Sequence, residues 1–111
     1  MLRRPRDFEA LQREGAVRAD PLLVLRARPT DLPMTRVGLS IGRRVGGSVV
    51  RNRTRRRMRA VLRSLAPRLV NGWDILLVAR PPVATADHRS LVAAMTKVLG
   101  RAGVLAEGAS A

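Results

Sequence analysis

The sequence contains no cysteine, and this absence excludes both a disulfide framework and a zinc site built from thiolates. Only two residues are aromatic, Phe8 and Trp73, so aliphatic side chains must fill most of the interior. The longest apolar run, residues 75–79, is far too short to span a bilayer, and no apolar stretch typical of a signal peptide follows the N-terminus. We therefore expect a cytoplasmic protein with no membrane partner.

Acidic residues are also scarce, with eight Asp and Glu against 22 Lys and Arg and a net charge of +14. Protein groups that hydrolyse phosphodiesters need clustered carboxylates for metal ions, or a paired acid and base. The eight acids are scattered, His88 is the only histidine, and residues 42–47 lack the Lys-Ser/Thr ending of a P-loop. We therefore predict a chain that binds its partner without cutting it, with no catalytic residue and no metal or cofactor bound by the protein alone.

No acidic residue lies between Asp31 and Asp74, and nine of the basic residues fall within residues 41–63 of this interval. Such unbalanced positive charge is typical of a protein that binds a polyanion. The segment from Ser48, a predicted N-cap, to Leu65 has no Gly or Pro, which predicts a helix about 27 Å long. Its apolar positions share one arc and would face the core: Val50, Thr54, Met58, Val61, Leu62 and Leu65.

The rest of that helix is an arginine surface that we expect to face a partner. The alternative is a solvated charged face, but such faces normally mix charges of both signs at i, i+4 spacing. Same-sign neighbours such as Arg51, Arg55 and Arg59 repel each other, so a bound anion is the better explanation of the pattern.

The order of predicted elements favours a two-layer α+β sandwich, with the sequence α-β-β-β-α-β-α. We predict a helix over residues 6–14, strands over 16–18, 22–28, 36–42 and 73–80, and a last helix from Thr85 or Asp87 to Leu99. The chain is long enough for a single domain over residues 1–111, ordered from about 4 to 101, with a flexible tail at 104–111. The basic helix then lies inside a strand-helix-strand crossover, which the general rule makes right-handed.

Residues 36–59 read Arg-Val-Gly-Leu-Ser-Ile-Gly-Arg-Arg-Val-Gly-Gly-Ser-Val-Val-Arg-Asn-Arg-Thr-Arg-Arg-Arg-Met-Arg. This stretch resembles the signature of the protein subunit of bacterial ribonuclease P, and the resemblance extends from about Arg4 to Arg101. It implies a left-handed crossover, in a fold like the second domain of ribosomal protein S5. It also implies that an RNA subunit is the catalyst and uses Mg2+, while the small basic protein binds that RNA and the 5′ leader of precursor tRNA.

The resemblance implies two groups of site residues. The RNA subunit would be contacted by Arg43, Arg44, Arg51, Asn52, Arg53, Arg55, Arg56 and Arg59. The leader would lie in a cleft beside the first helix, on an exposed face of the sheet, lined by Phe8, Gln12, Arg26, Ser40 and Arg80. Two cleft aromatics of the family fall at Gln12 and Arg26 in this chain, so leader bases there would meet hydrogen bonds or a guanidinium in place of a ring.

Two other classes of protein share this charge. A structural ribosomal protein or general RNA chaperone is the first alternative, and the Arg51-Asn52-Arg53 triplet after the Arg43-Arg44 pair argues against it. A regulator that binds duplex DNA is the second, but strands flank the basic helix where a helix-turn-helix would need helices. We therefore expect an RNA partner and no DNA partner.

Overall fold

A computed structural model describes residues 16–106. This part of the chain contains four strands, β1 (Ala16–Ala19), β2 (Leu23–Pro29), β3 (Arg36–Ser40) and β4 (Trp73–Ala79), and two helices, α1 (Ser48–Leu65) and α2 (His88–Arg101). Short 3-10 helices follow α1 at Ala66–Arg68 and β4 at Pro81–Thr85. The order confirms the α+β prediction from β1 onward, whereas the predicted helix over residues 6–14, with Phe8 and Gln12, lies outside the described residues.

The four strands form one sheet in the order β1-β2-β4-β3. β2 pairs antiparallel with β1 and β4, while β3 and β4 are parallel, so α1 is the crossover that connects two neighbouring parallel strands. β4 is an interior strand, as its apolar residues on both faces predict. Ile75, Leu76 and Leu77 at its centre are all buried.

One side of the sheet, the core face, packs against both helices. Leu25 of β2 and Ile75 and Leu77 of β4 are fully buried there and belong to the same cluster as Met58 of α1. The last helix contributes Leu91, Ala94, Met95, Val98 and Leu99 to this cluster. Because burying one such side chain contributes about 1.5–3 kcal/mol, aliphatic packing stabilises the fold with Trp73 only half-buried at its margin.

The other side of the sheet, the opposite face, carries a buried carboxylate. Asp74 of β4 is fully buried and lies in register with Arg28 of β2 and Arg36 of β3. Arg36 donates from Nε to Oδ1 at 2.8 Å and from Nη2 to Oδ2 at 2.7 Å, while Nη2 of Arg28 lies 3.6 Å from Oδ2. One carboxylate therefore ties three strands together, through a bidentate pair with Arg36 and an ion pair with Arg28.

The N-terminus of α1 differs from the sequence prediction. Its N-cap is Gly47, and Ser48 is the first helical residue, so the predicted Ser48 cap is wrong and no side chain caps the helix. Gly46 precedes this cap with a φ of +157°. A Cβ on Gly46 would lie 2.8 Å from Cβ of Val50, so the close approach of this turn to the helix requires glycine.

Packing against the core continues closer to the C-terminus than the sequence predicts. Asp87 is the N-cap of α2, with Oδ1 accepting a hydrogen bond from Ser90 N at 2.7 Å, and the helix continues to Arg101. Val104 is fully buried and its carbonyl accepts from Val70 N at 2.8 Å. The predicted start of a flexible tail at residue 104 is therefore wrong, and residues 107–111 lie outside the described part. Between residues 16 and 106, neither helix has the length and apolar character needed to cross a membrane.

Candidate nucleic-acid interface

Helix α1 separates an apolar side from an arginine side, as its sequence predicts. Thr54, Met58, Val61 and Leu65 are buried, and Val50 and Leu62 are half-buried against the core. With this arc turned inward, the remaining positions turn outward. Asn52, Arg53, Arg56, Arg59 and Arg63 are exposed, and Arg51 and Arg55 are half-buried.

Arg51 takes an intermediate position between the two sides of α1. It lies at the edge of the apolar arc, and its Nε is buried without a hydrogen-bond partner among residues 16–106. The stem of the side chain is thus covered by its own domain while part of the residue stays accessible. Such placement limits the conformations of a guanidinium before it meets a ligand.

The turn before α1 adds two more cations to this surface. Arg43 and Arg44 are exposed, while Val45 beside them is buried and anchors the turn through its N–H, which donates to Gly42 O at 3.1 Å. No acidic residue lies in the first turn of the helix. The uncapped helix N-terminus therefore adds its own positive potential to that of the two arginines.

An open depression of about 550 Å³ lies on the arginine side of α1, lined by Val49, Asn52, Arg55, Arg56 and Arg59. Within it, Arg55 Nη1 donates to Asn52 Oδ1 at 3.1 Å, so the amide orients one guanidinium. Val49 is 78% exposed and gives the depression an apolar patch. Planar guanidinium groups at this density suit a phosphate backbone, whose oxygens they hold in pairs.

Sequence reasoning missed the role of Arg57, which it grouped with the partner-facing arginines. Its Nη2 donates to Ala86 O at 2.6 Å and its Nη1 to Val83 O at 3.4 Å, so this guanidinium fastens α1 to the 3-10 turn before α2. A helical-wheel projection of α1 could have indicated this role, since position 57 lies beside Val61 and Val50 at the edge of the apolar arc. Arg53 reaches the same turn more weakly, with Nη2 3.5 Å from Ala84 O.

The charge of Arg57 also acts on the cap of α2. Hydrogen bonds from the side chain and the backbone N–H of Ser90 lower the pKa of the Asp87 carboxyl, and the nearby positive charge of Arg57 lowers it further. The carboxylate is thus kept ionised where it caps the helix. Because the pKa is depressed on folding, the stability that this cap contributes is lost as pH falls through the folded-state pKa, below the ordinary range of aspartate.

We expect Arg57→Ala to destabilise the protein more than the removal of an exposed arginine of the same helix. Two turn carbonyls lose a charged donor, at a cost of about 1–3 kcal/mol. Arg56→Ala is the matched control, because Arg56 is exposed and its replacement should change stability by less than about 0.5 kcal/mol. Thermal denaturation of both variants checks this. Equal melting midpoints for the two would show that Arg57 does not fasten the turn.

The residues predicted to line the leader cleft are partly brought together. Arg26 lies on the opposite face of the sheet in register with Leu76, and exposed Ser40 lies on the same face at the end of β3, in register with Val78. Arg80 is exposed just beyond β4, at the same end as Ser40, and its Nη1 donates to Asp20 O at 3.3 Å. Phe8 and Gln12 lie outside the described residues.

Known proteins resemble this chain in sequence and in fold. A family model described as Ribonuclease P matches residues 1–103. The ribonuclease P protein components of Roseiflexus sp. (strain RS-1) and Roseiflexus castenholzii are 40% and 38% identical over 105 residues, covering 94% of this chain and 86% of each relative. The solved structure of the Staphylococcus aureus RNase P protein superposes with a TM-score of 0.86 at 22% identity, covering 94% of this chain and 95% of that one, a likeness of fold.

Proposed function

The chain belongs to the bacterial ribonuclease P protein family, and from this premise we propose that the arginine surface of α1 docks it on the catalytic RNA subunit. As a ribonuclease P protein component, the chain binds an RNA subunit and supports processing of the 5′ end of tRNA. The proposal adds where that RNA binds and which side chains hold it.

The single observation that supports this most strongly is the concentration of exposed arginines on one side of one helix. Arg53, Arg56 and Arg59 are exposed there, with Arg43 and Arg44 on the turn that leads in. No acidic residue lies between positions 31 and 74 to neutralise them. Docking of this surface on RNA phosphates would release counterions from the RNA, which is the main source of affinity in such complexes.

The protein's own role in cleavage, on this proposal, is to bind and position RNA. Three of the four acids among residues 16–106 serve the fold: Asp74 pairs with Arg36, Asp87 caps α2, and Asp20 accepts from Leu22 N at 2.9 Å. Among residues 16–106, no three His, Cys, Asp or Glu side chains are grouped so that they could hold a metal ion. The Mg2+ ions used in cleavage would therefore be held by the RNA, whose phosphates are suited to that hard cation.

The second part of the proposal concerns the precursor tRNA. Its single-stranded 5′ leader would lie on the opposite face of the sheet, where Arg26 and Ser40 share a face and Arg80 lies at its end. Arg26 would hold a leader base by stacking of its guanidinium or by hydrogen bonds, as arginine does in other complexes with single-stranded RNA. Ser40 adds an exposed hydroxyl that can donate or accept.

Cleavage of precursor tRNA tests whether the RNA subunit is the catalyst and the protein only binds. We expect the RNA subunit from the same organism to cleave slowly at low Mg2+, and the addition of the protein to raise its rate at subsaturating substrate by at least tenfold. RNA-free protein alone should release no leader, because its sequence offers only eight scattered acids and a single histidine for such chemistry. The measurement is the initial rate of leader release in three reactions that contain RNA, protein or both.

A matched substrate separates the two parts of the proposal. Precursor with a leader of one nucleotide should gain less from the protein than precursor with a long leader, if the leader lies on the sheet. Specific cleavage at the mature 5′ end by RNA-free protein would overturn the binding role. A protein that stimulates both substrates equally would overturn leader binding while leaving RNA docking in place.

A further inference from the structure

An apolar groove adjoins the arginine surface of α1 at its C-terminal half. It has a volume of about 510 Å³ and is lined by Thr35, Val37, Arg59, Leu62, Arg63, Ala66 and Leu69. Val37, Leu62 and Leu69 are half-buried and rest on the core, so they form an apolar floor. Arg59 and Arg63 are exposed at its rim.

The polar groups around the groove differ in whether they already form hydrogen bonds. The Thr35 hydroxyl is used, since it donates to Val70 O and accepts from Trp73 N at 3.2 Å. Arg59 and Arg63 form no hydrogen bond or ion pair with any of residues 16–106. The groove therefore offers an apolar floor under two unpaired guanidinium groups, which calls for a ligand that is apolar on its faces and anionic at its edge.

Arg59 connects this groove to the proposed docking surface, because it lines both the groove and the depression around Asn52. An RNA strand whose phosphates lie on Arg55 and Arg56 would thus reach the groove at the next turn of the helix. A nucleobase has the required chemistry, with flat apolar faces and a phosphate on each side. A second copy of this chain does not, because two molecules of charge +14 repel each other.

We propose that this groove takes one unstacked nucleobase of the RNA bound on α1, with the flanking phosphates on Arg59 and Arg63. The inference rests on the proposed docking of α1 on the RNA subunit and adds a base-binding site to it. Its volume lies within the range of about 300–1,000 Å³ that small-molecule sites occupy. Contact between a base and protein side chains would make binding depend on the local shape of the RNA, which phosphate contacts alone do not.

Filling the groove tests the proposal without changing any charge. Ala66 is exposed and lines the groove, so Ala66→Phe should occupy the space of the base. Ala60→Phe is the matched control, because Ala60 is exposed on α1, about six residues before Ala66, and lines neither the groove nor the depression. We expect Ala66→Phe to weaken binding to a transcript of the RNA subunit about tenfold, with an unchanged salt slope, and Ala60→Phe to change it less than twofold.

Chemical probing then identifies the base. We expect a base in the transcript that wild-type protein and Ala60→Phe protect from modification and Ala66→Phe does not. Replacing that nucleotide by an abasic one should weaken wild-type binding about tenfold and leave the affinity of Ala66→Phe unchanged, which is the non-additivity of a direct contact. Equal affinities of the two Phe variants, or additive effects of variant and abasic RNA, would overturn the groove site.

Three further outcomes are distinguishable. If Ala66→Phe is neutral while Arg56→Ala weakens binding, α1 docks on RNA and the groove holds no base. If neither replacement matters, the proposed docking surface itself is wrong. If Ala66→Phe changes the sedimentation of the protein without RNA, the groove is a contact between copies of this chain, and the base site is overturned.

Discussion

Raising the salt concentration from about 50 to 200 mM should weaken binding of the protein to its RNA subunit by roughly 300- to 1,000-fold. This follows if on the order of six arginines between positions 43 and 63 neutralise phosphates, each contributing roughly 0.7–0.9 to the slope of log affinity against log salt. The expected slope is then about −4 to −5. The measurement is a titration of labelled RNA subunit with protein at several salt concentrations.

Single replacements should show how much each arginine contributes to that slope. Arg→Ala at 51, 53, 55, 56 or 59 should flatten it by about one unit or less, because each removes one phosphate contact. Lys at the same positions should keep most of the slope and lose affinity wherever the guanidinium holds a phosphate by two hydrogen bonds. Arg101→Ala is the control, since Arg101 is exposed at the end of α2, outside the basic stretch. A slope shared equally by arginines across the chain would mean a diffuse polycation with no docking surface.

Replacement of Asp74 by alanine should be among the most damaging single changes to the fold. Its carboxylate is fully buried and holds Arg36 by two hydrogen bonds, so its loss removes both of these charged contacts from a guanidinium that is 25% exposed. Breaking a buried ion pair on one side costs about 3–5 kcal/mol, and partial exposure of the arginines favours the lower end. We expect a loss of about 3 kcal/mol and a melting midpoint lower by on the order of 15 °C.

The matched control for this change is Asp31→Ala, because Asp31 is an exposed carboxylate in the loop between β2 and β3. That replacement should change the free energy of unfolding by less than about 0.5 kcal/mol. Chemical denaturation of the two variants measures the difference. Equal unfolding midpoints would show that the Asp74 pair contributes nothing net, as some ion pairs do when desolvation cancels their attraction.

The pattern of apolar residues predicted most of the described fold, because the residues involved follow simple rules. The apolar arc of α1 repeats at helical spacing without interruption, and β4 is apolar on both faces, which marks an interior strand. The Ser48 cap failed because a local signal competed with a tertiary one. Gly46 lies so close to Val50 that a Cβ there would clash, and Gly47 takes the cap position; a list of cap preferences does not include such a close approach.

The sequence predicted the positive charge of the candidate site better than the separate roles of its individual arginines. The run of arginines predicts that α1 is a binding surface, yet nothing in the charge count separates Arg57, which bonds two turn carbonyls, from Arg56, which is exposed. The pairing of Asp74 with Arg36 spans 38 residues and depends on strand register, which a single sequence does not specify. The groove beside Leu62 likewise exists only once α1 packs beside β3.

Whether α1 is the docking surface can be decided by one comparison of affinities for the RNA subunit at fixed salt. The first protein is Arg51→Ala/Arg53→Ala and the second is Arg89→Ala/Arg101→Ala, which removes two exposed charges from α2. Loss of two charge-assisted contacts of about 1.5 kcal/mol each should weaken the first on the order of 100-fold. The second should stay within about threefold of the wild type, since distant charges are screened. Equal losses in the two proteins would contradict docking through α1.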